Sequence, residues 1–333
     1  MKPLIEECTE LAEHGRGLTR AQAADVFGEI MSGRLADEQL ARFLAALADQ
    51  GETVDEIVGA AEVLRRHVTP IRCDDPDAVD TCGTGGDGIS TFNVSSAAAI
   101  VAAAAGATVA KHGNRTTTRR SGSAEVLHAL GVNIDAAPPV VERCLREVRI
   151  GFLYAAKLHP AMKHAAGARR MLARRTIFNL LGPLTNPAGV RRQVVGVPRR
   201  ELMVTIAEAL RQLGAVHALV VHGHDGLCDL TITGPSSYVE LCAGRLTERT
   251  ISPREFGLEP GRLEDLLADS PAASATAIRA VLAGERGPRR NHTLLNAAAA
   301  LVAAGVASDM ADGLARAAAV TLTRLAAISR GET

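Results

Sequence analysis

Two polar loops, at residues 83–96 and 111–123, carry several glycines and lie on either side of an alanine-rich segment. The alanine-rich segment predicts a helix at 95–105, and a short strand is predicted at 108–111, before the second loop. Loops of this composition at strand ends are where α/β proteins hold phosphates, because backbone amides there point toward a ligand. This stretch therefore favours an α/β fold with an anion-binding site at one edge of its sheet.

The chain beyond residue 79 alternates short strands with helices, which predicts a mainly parallel sheet covered by helices. Strands are predicted at 108–111, 132–135, 151–155, 193–197 and 218–222, and helices at 95–105, 124–130, 140–148 and 201–213. The segments 237–241 and 246–251 predict an antiparallel hairpin. Helices are also predicted at 294–304 and 310–327, and within 176–187, where Gly182-Pro183 is expected to end the helix.

The first seventy residues predict helices only. Leu40, Phe43, Leu44 and Leu47 form one apolar helical face, with Asp37 as the expected cap and Gly51 as the end. Capping-box patterns begin at Thr19 and at Thr53. The expected organisation is a helical domain at 1–72, joined by helices from about 160–187, and an α/β domain at 73–333.

Composition excludes several classes of protein. The chain is 47% hydrophobic and 22% charged, and its formal net charge is zero. No global field therefore favours nucleic acid or a membrane surface. The six cysteines form no CxxC pair, and no apolar run reaches the roughly 18 residues of a membrane span. We expect a cytoplasmic protein without a membrane segment, and we do not expect nucleic acid as a partner.

The first loop contains GTGGDG at 83–88, which fits the GxGxxG pattern of dinucleotide-binding sites. The next strand, however, ends in Lys111-His112, where a dinucleotide site needs an acidic residue. A Walker loop is excluded because Ile89 and Ser90 follow Gly88. A glycine turn that only closes a strand is the structural alternative.

The second loop carries four cationic residues and five hydroxyl groups. Amides, hydroxyls and fixed cations together suit a pyrophosphate. The alternative is a solvated basic loop. Two such loops together favour a phosphorylated substrate.

Five motifs in this order are similar to one known family. They are GTGGDG with TFNVSS, KHGNR with SGSAEVLHALG, HPAMK, RRTIFNLLGPLTNPA and VVHGHDGL. The sequence resembles the anthranilate phosphoribosyltransferases of tryptophan biosynthesis from about Thr19 to the final helices. The related pyrimidine nucleoside phosphorylases share the fold and a similar glycine loop, but are not expected to carry KHGNR and RTIFNLLGPL together.

The resemblance implies a nucleoside phosphorylase-like fold, the substrates 5-phosphoribosyl 1-diphosphate (PRPP) and anthranilate, Mg²⁺, and a homodimer formed through the helical domain. The PRPP-binding residues it implies are Gly83, Gly86, Asp87, Thr91, Asn93, Val94, Ser95, Ser96, Lys111, His112, Gly113, Asn114, Arg115 and Ser123. Anthranilate would be contacted by Gly83, Asn114, His159 and Arg169. The alternative for His159 is a helix-capping residue, because Pro160 follows it at a first-turn position. The implied metal ligands are Ser95 and Asp229.

The implied reaction matches these residue types. An aromatic amine is nucleophilic without prior deprotonation, so the enzyme has mainly to position two substrates and to neutralise the leaving diphosphate. Lys111 suits the second task, and the guanidinium of Arg169 suits a carboxylate. These two are the candidate catalytic residues. Arg169 belongs to a cluster of arginines, so a surface charge is its alternative interpretation.

Two departures from the family pattern stand out. An Asp-Glu pair is usual where this chain has Cys228-Asp229, and a thiol is a poor ligand for Mg²⁺. The second metal position is therefore in doubt. In the second loop, Arg119 replaces a small residue, either as an added phosphate contact or as a solvent-facing side chain.

Two other functions remain as alternatives. One is a nucleoside phosphorylase on the same scaffold, which phosphorolysis of uridine or thymidine would reveal. The other is a paralogue that has an altered acceptor or binds nucleic acid without turnover, which salt-dependent DNA binding would reveal.

Overall fold

The N-terminal helices form as their capping residues predict. The computed structural model describes residues 2–116 and 120–329, beginning with helices α1 (Leu4–Glu13), α2 (Arg20–Met31), α3 (Asp37–Gln50) and α4 (Val54–Arg66). Thr19 and Thr53 cap α2 and α4 as predicted. Asp37 instead follows the N-cap of α3, and its carboxylate accepts a hydrogen bond from the backbone N–H of Ala168, at 3.2 Å.

In the residues that the structure describes, seven strands form one sheet, in the order β3-β2-β1-β4-β5-β6-β7. They are β1 (Val79–Gly83), β2 (Val109–Gly113), β3 (Ile150–Tyr154), β4 (Arg192–Gly196), β5 (His217–Gly223), β6 (Ser236–Cys242) and β7 (Arg245–Ile251). The first five strands in chain order pair in parallel, and β6 and β7 add the predicted antiparallel hairpin. Parallel pairing brings the ends of β1, β2 and β5 to one edge of the sheet, where both glycine-bearing loops meet.

The remaining helices cover the sheet or join the N-terminal helices. They are α5 (Val94–Ala104), α6 (Ser123–Ala129), α7 (Pro138–Val148), α8 (Ala155–Leu158), α9 (Ala166–Leu172), α10 (Ile177–Leu184), α11 (Leu202–Gln212), α12 (Leu263–Leu266), α13 (Pro271–Leu282), α14 (Pro288–Ala303) and α15 (Met310–Ser329), with 3₁₀ helices at Pro160–Ala165 and Pro253–Phe256. In the described part of the chain, no helix is long and apolar enough to cross a membrane.

Helices α9 and α10 pack against the N-terminal helices. Ala168, Phe178 and Leu181 belong to the same apolar core as Phe27 and Phe43. The rings of Phe27 and Phe178 meet edge-on with centroids 5.7 Å apart. This packing supports the proposed association of 160–187 with the helical domain, while the domain boundaries themselves stay a prediction.

Two predicted elements are wrong. Residues 132–135 form no strand, because this short segment turns between α6 and α7, with Ile134 buried in an apolar cluster, and β2 pairs with β3 instead. Helix α10 does not end at Gly182-Pro183 but continues to Leu184 with Pro183 inside it. Pro183 removes only one backbone hydrogen bond, the one that an N–H at this position would donate to the carbonyl of Asn179, and the helix ends one residue later.

His292 is a buried polar residue outside the sheet edge that carries the loops. Its side chain is fully buried next to Phe92, and neither ring nitrogen has a partner in the described chain. Burial lowers the pKa of His292 from 6.5 to about 4. As the pH falls, the unfolded chain therefore binds a proton at this position before the folded chain does. The free energy of unfolding consequently decreases as the pH falls from 6.5 toward 4.

Replacing His292 by leucine is expected to raise the free energy of unfolding by about 1 kcal/mol at pH 7, because two unpaired buried nitrogens are removed. The variant should also lose less stability than the parent between pH 7 and pH 5. Urea titrations at the two pH values measure both effects, with His14→Gln on the surface as the control. If His292→Leu lost as much stability as the parent between pH 7 and pH 5, the lowered pKa of His292 would be contradicted.

Candidate active site

A cavity of about 320 Å³ opens at the edge of the sheet where β1 and β2 end. Both loops line it, together with residues from α9, α10 and the turn after β5. Its predicted residues are Gly83, Gly86, Asn93, Ser95, Lys111, His112, Gly113, Asn114, Arg115, Ser123, Arg169 and Asp229. Parallel strand ends thus gather residues that are far apart in sequence into one polar cavity, hereafter the first cavity.

The first loop needs glycine for steric reasons. Gly86 has a φ of +92°, and a Cβ there would collide with Nη1 of Arg175. That guanidinium donates a hydrogen bond to the carbonyl of Gly85, at 2.5 Å. A side chain at Gly83 would press on the carbonyl of Gly196 in the neighbouring strand. The glycines therefore let the backbone itself form the wall of the cavity.

Helix α5 begins at this wall, and its N-cap residue, Asn93, makes no capping bond with its side chain. The Asn93 carboxamide instead accepts hydrogen bonds from the hydroxyls of Ser121 and Ser274, each at 2.8 Å. Asn93 thereby ties the two loops together. The start of α5 is left facing the first cavity, and helix N-termini favour anions.

Lys111 lies at the end of β2 and is only 2% exposed, although it lines the first cavity. Its ammonium donates to the carbonyl of Thr81 at 2.5 Å and lies 3.4 Å from Oγ of Ser95. Burial lowers the pKa of Lys111, while the carboxylate of Asp80 acts in the opposite direction. The side chain is thus held in a fixed position by β1 and α5.

Asp80 is a completely buried carboxylate beneath the loops. It accepts hydrogen bonds from the backbone N–H of His112 at 3.0 Å and from the side-chain amide of Asn186 at 2.8 Å. Burial raises the pKa of Asp80, and Lys111 opposes that shift. Asp80 therefore links β1 to β2 at the base of the first cavity.

A second cavity of about 370 Å³ adjoins the first and shares His112, Asn114, Arg169 and Phe178 with it. Arg169 places its guanidinium carbon 5.5 Å from the ring centre of Phe178. Among the described residues its guanidinium makes no hydrogen bond or ion pair. Burial lowers the pKa of Arg169. A largely desolvated guanidinium without a carboxylate partner suits an anionic ligand.

The candidate metal ligands lie on two sides of the first cavity. Ser95 comes from α5, and Asp229 comes from the turn after β5, next to Cys228. Cys228 is 5% exposed, and its backbone N–H donates to the carboxylate of Asp87 at 3.2 Å. Within residues 2–116 and 120–329, no three His, Cys, Asp or Glu side chains are arranged to hold a metal ion.

Several predicted residues lie outside the lining of the first cavity. His159 lines the second cavity, whereas Thr91, Val94 and Ser96 are buried and do not line the first cavity. Asp87 faces the backbone of Cys228. Arg119 lies outside the described residues. The binding roles of all of these residues stay predictions.

The structure also adds residues that the loop patterns did not single out. Thr81 holds Lys111, Ser121 holds Asn93, and Arg175 holds the first loop. Ser121 lies in the SGSAEVLHALG motif and Arg175 in the RRTIFNLLGPLTNPA motif, but their contacts depend on tertiary packing.

Two family models match the chain. The helical bundle domain of a glycosyl transferase family matches residues 7–68, and the a/b domain of that family matches residues 75–327. An anthranilate phosphoribosyltransferase from Anaeromyxobacter sp. (strain K) is 51% identical over 315 residues, covering 95% of this chain and 93% of that protein. One from Chloroflexus aggregans is 50% identical over 338 residues, covering 98% and 99%.

Solved structures of anthranilate phosphoribosyltransferases have the same fold as this chain. Anthranilate phosphoribosyltransferase from Thermus thermophilus superposes with a TM-score of 0.90 at 40% identity, covering 96% of each chain. The Saccharomyces cerevisiae enzyme in complex with PRPP and Mg superposes with a TM-score of 0.89 at 26% identity, covering 98% of this chain and 96% of that one.

Proposed function

The chain belongs to the anthranilate phosphoribosyltransferase family, and we propose that it transfers the phosphoribosyl group of PRPP to anthranilate. The products are N-(5-phosphoribosyl)anthranilate and diphosphate. The observation that carries this proposal is the pair of adjoining cavities. One has Lys111 at a glycine-bearing loop, and the other has the guanidinium of Arg169, which has no partner among the described residues. PRPP, which carries a phosphate and a diphosphate, fits the first cavity. Anthranilate, which carries a carboxylate, fits the second.

On the donor side, we propose that the backbone of the first loop and the start of α5 bind the diphosphate. The hydroxyls and amides of the second loop bind the ribose phosphate. Lys111 supplies positive charge where the diphosphate gains negative charge as the glycosidic bond breaks, and such preorganised charge is a main source of catalysis. Because Lys111 is already held by Thr81, little reorganisation is needed.

On the acceptor side, Arg169 binds the carboxylate of anthranilate through its two-pronged guanidinium. Phe178 supports that guanidinium from one face. Anthranilate then lies between Arg169 and the shared wall at Asn114, with its amine toward the first cavity. Positioning the amine against the anomeric carbon replaces a bimolecular encounter by a local one.

The residues present fit a Mg²⁺ ion that arrives with the substrate. Mg²⁺ prefers oxygen ligands and is usually held by one or two carboxylates together with waters and substrate phosphates. Ser95 and Asp229 supply such oxygens at the first cavity, whereas the Cys228 thiol does not. When bound, the ion would neutralise charge on the diphosphate.

Replacing Cys228 by aspartate is expected to lower the Mg²⁺ concentration needed for half-maximal activity by about tenfold, the effect of roughly 1.4 kcal/mol from one added carboxylate ligand. Cys228→Ser is the matched control, since it keeps the size but adds no charge. Activity measured across Mg²⁺ concentration tests this. Identical titration curves for the two variants and the parent would refute it.

A fluorescence assay of anthranilate consumption with PRPP tests the proposed function, run across Mg²⁺ concentration. We expect consumption that depends on both PRPP and Mg²⁺. Absence of turnover at every Mg²⁺ level would overturn the proposal, and phosphorolysis of uridine would replace it by a phosphorylase function.

We also propose a homodimer formed through the helical domain. The support is family membership. Light scattering coupled to gel filtration measures the mass in solution, and a mass of one chain at micromolar concentration would exclude a stable dimer.

A further inference from the structure

Ser274, in α13, is a completely buried residue that belongs to none of the motifs that carry the family resemblance. Its hydroxyl accepts a hydrogen bond from the backbone N–H of Asn93, at 2.9 Å. The same hydroxyl donates a hydrogen bond to the carboxamide oxygen of Asn93, at 2.8 Å. One hydroxyl, 181 positions away in sequence, therefore holds both the backbone and the side chain of a residue that lines the first cavity.

The direction of each hydrogen bond follows from the chemistry of the groups. A backbone N–H can only donate, so Ser274 accepts from it and keeps its own proton for the second bond. The carboxamide atom at the other end must then be Oδ1, because the amide nitrogen only donates. The backbone carbonyl of Ser121, in the second loop, fixes the same orientation, since it can only accept and lies 3.1 Å from Nδ2 of Asn93.

This orientation leaves one N–H of the Asn93 carboxamide for a ligand. Oδ1 has two lone pairs, and the hydroxyls of Ser121 and Ser274 use both of them. Nδ2 carries two protons, and among the described residues only the carbonyl of Ser121 receives one. Asn93 thus has a donor for the first cavity, while its oxygen is engaged elsewhere. An N–H donor attracts the oxygens of a phosphate, whereas an amide oxygen would repel them.

We propose that Ser274 is a positioning residue for the donor substrate, because it fixes the Asn93 carboxamide so that an N–H, and not the carbonyl oxygen, faces the phosphate oxygens of PRPP. This inference rests on the proposed function. Asn93 makes the contact with the substrate, and Ser274 acts only through Asn93. Since the carboxamide is already held in place, less conformational freedom is lost when PRPP binds.

Replacing Ser274 by alanine removes one partner of Oδ1 and lets the carboxamide turn. We expect the KM of PRPP to rise by about tenfold, the scale of one hydrogen bond, with the KM of anthranilate unchanged. Ser274→Cys fills the same space with a weaker donor, so its KM for PRPP should lie between those of the parent and Ser274→Ala. Thr276→Ala is the matched control, because this exposed hydroxyl of the same helix bonds the carbonyl of Ala272. It should leave both KM values unchanged.

A double-mutant cycle with Asn93→Ala tests whether Ser274 acts through the carboxamide. The backbone N–H of residue 93 is present in both backgrounds, so the cycle isolates the side chain. In Asn93→Ala, adding Ser274→Ala should change the KM of PRPP by less than about twofold, because the carboxamide is already absent. An equal effect of Ser274→Ala in both backgrounds, or an equal rise in the KM of anthranilate, would overturn the inference.

The outcomes separate this inference from the proposed function. Turnover in the parent, with an unchanged KM for PRPP in Ser274→Ala, would overturn the inference alone. No turnover in the parent would overturn the proposed function. Calorimetric titration with magnesium diphosphate then still tests the inference, since equal affinities of the parent and Ser274→Ala would overturn it and weaker binding by Ser274→Ala would support it. Urea titrations of each variant identify losses that come from misfolding.

Discussion

Replacing Lys111 by methionine is expected to lower kcat for phosphoribosyl transfer by about 10²- to 10³-fold, the usual effect of losing one preorganised electrostatic group. The ammonium lies at the floor of the first cavity, and Thr81 and Ser95 hold it in place. Methionine fills a similar volume but carries no charge. The loss should appear mainly in kcat, because charge on the diphosphate grows most in the transition state.

Stability should change little in this variant, because two effects oppose each other. The lowered pKa of Lys111 means that burying its charge costs free energy, and methionine removes that cost. The same substitution removes the cation that offsets the buried carboxylate of Asp80. We expect the net change in the free energy of unfolding to stay within about 2 kcal/mol.

Steady-state kinetics with varied PRPP, alongside urea titrations, measure both quantities. Lys157→Met is the matched control, since Lys157 is exposed and does not line either cavity. A folded Lys111→Met enzyme with kcat within threefold of the parent would exclude the proposed role.

The sequence predicts the parts of the fold that depend on local pattern. The hairpin, the strand before the second loop and helix α5 follow from alternation and alanine content, and the structure confirms them. The strand expected at 132–135 fails because alternation describes one buried face and does not distinguish a strand from an extended turn. Whether a segment pairs depends on a neighbouring strand, which only the tertiary structure supplies.

The residues of the candidate site also fall into those that local sequence pattern predicts and those that it does not. Lys111 and the first loop are evident from composition, because glycines and a cation stand where parallel strands end. The contact between His112 and His159 joins residues 47 positions apart, and no local pattern predicts it. Conversely, Thr91 and Ser96 have the polar character of ligand contacts, but the turn of α5 and the packing of the loop bury them.

Replacing Arg169 by methionine is expected to raise the KM of anthranilate by about 100-fold, with a smaller effect on the KM of PRPP. Arg169 has no protein anion to bond in the described chain, so its hydrogen-bonding capacity is available to the substrate carboxylate. Charge-assisted bonds contribute roughly 1.5–3 kcal/mol each, and a carboxylate can take two from one guanidinium. Phe178 holds the group in place beforehand, which limits the entropy lost on binding.

Two further variants separate the geometry of Arg169 from its charge. Arg169→Lys keeps the charge but loses the planar fork, so its KM should fall between those of the parent and Arg169→Met. Arg170→Met is the matched control, because this neighbour is exposed and does not line either cavity. Initial rates at saturating PRPP and varied anthranilate give each KM. If Arg170→Met raised KM as much as Arg169→Met, the effect would come from the general field of the arginine cluster, and Arg169 would not be the carboxylate-binding residue.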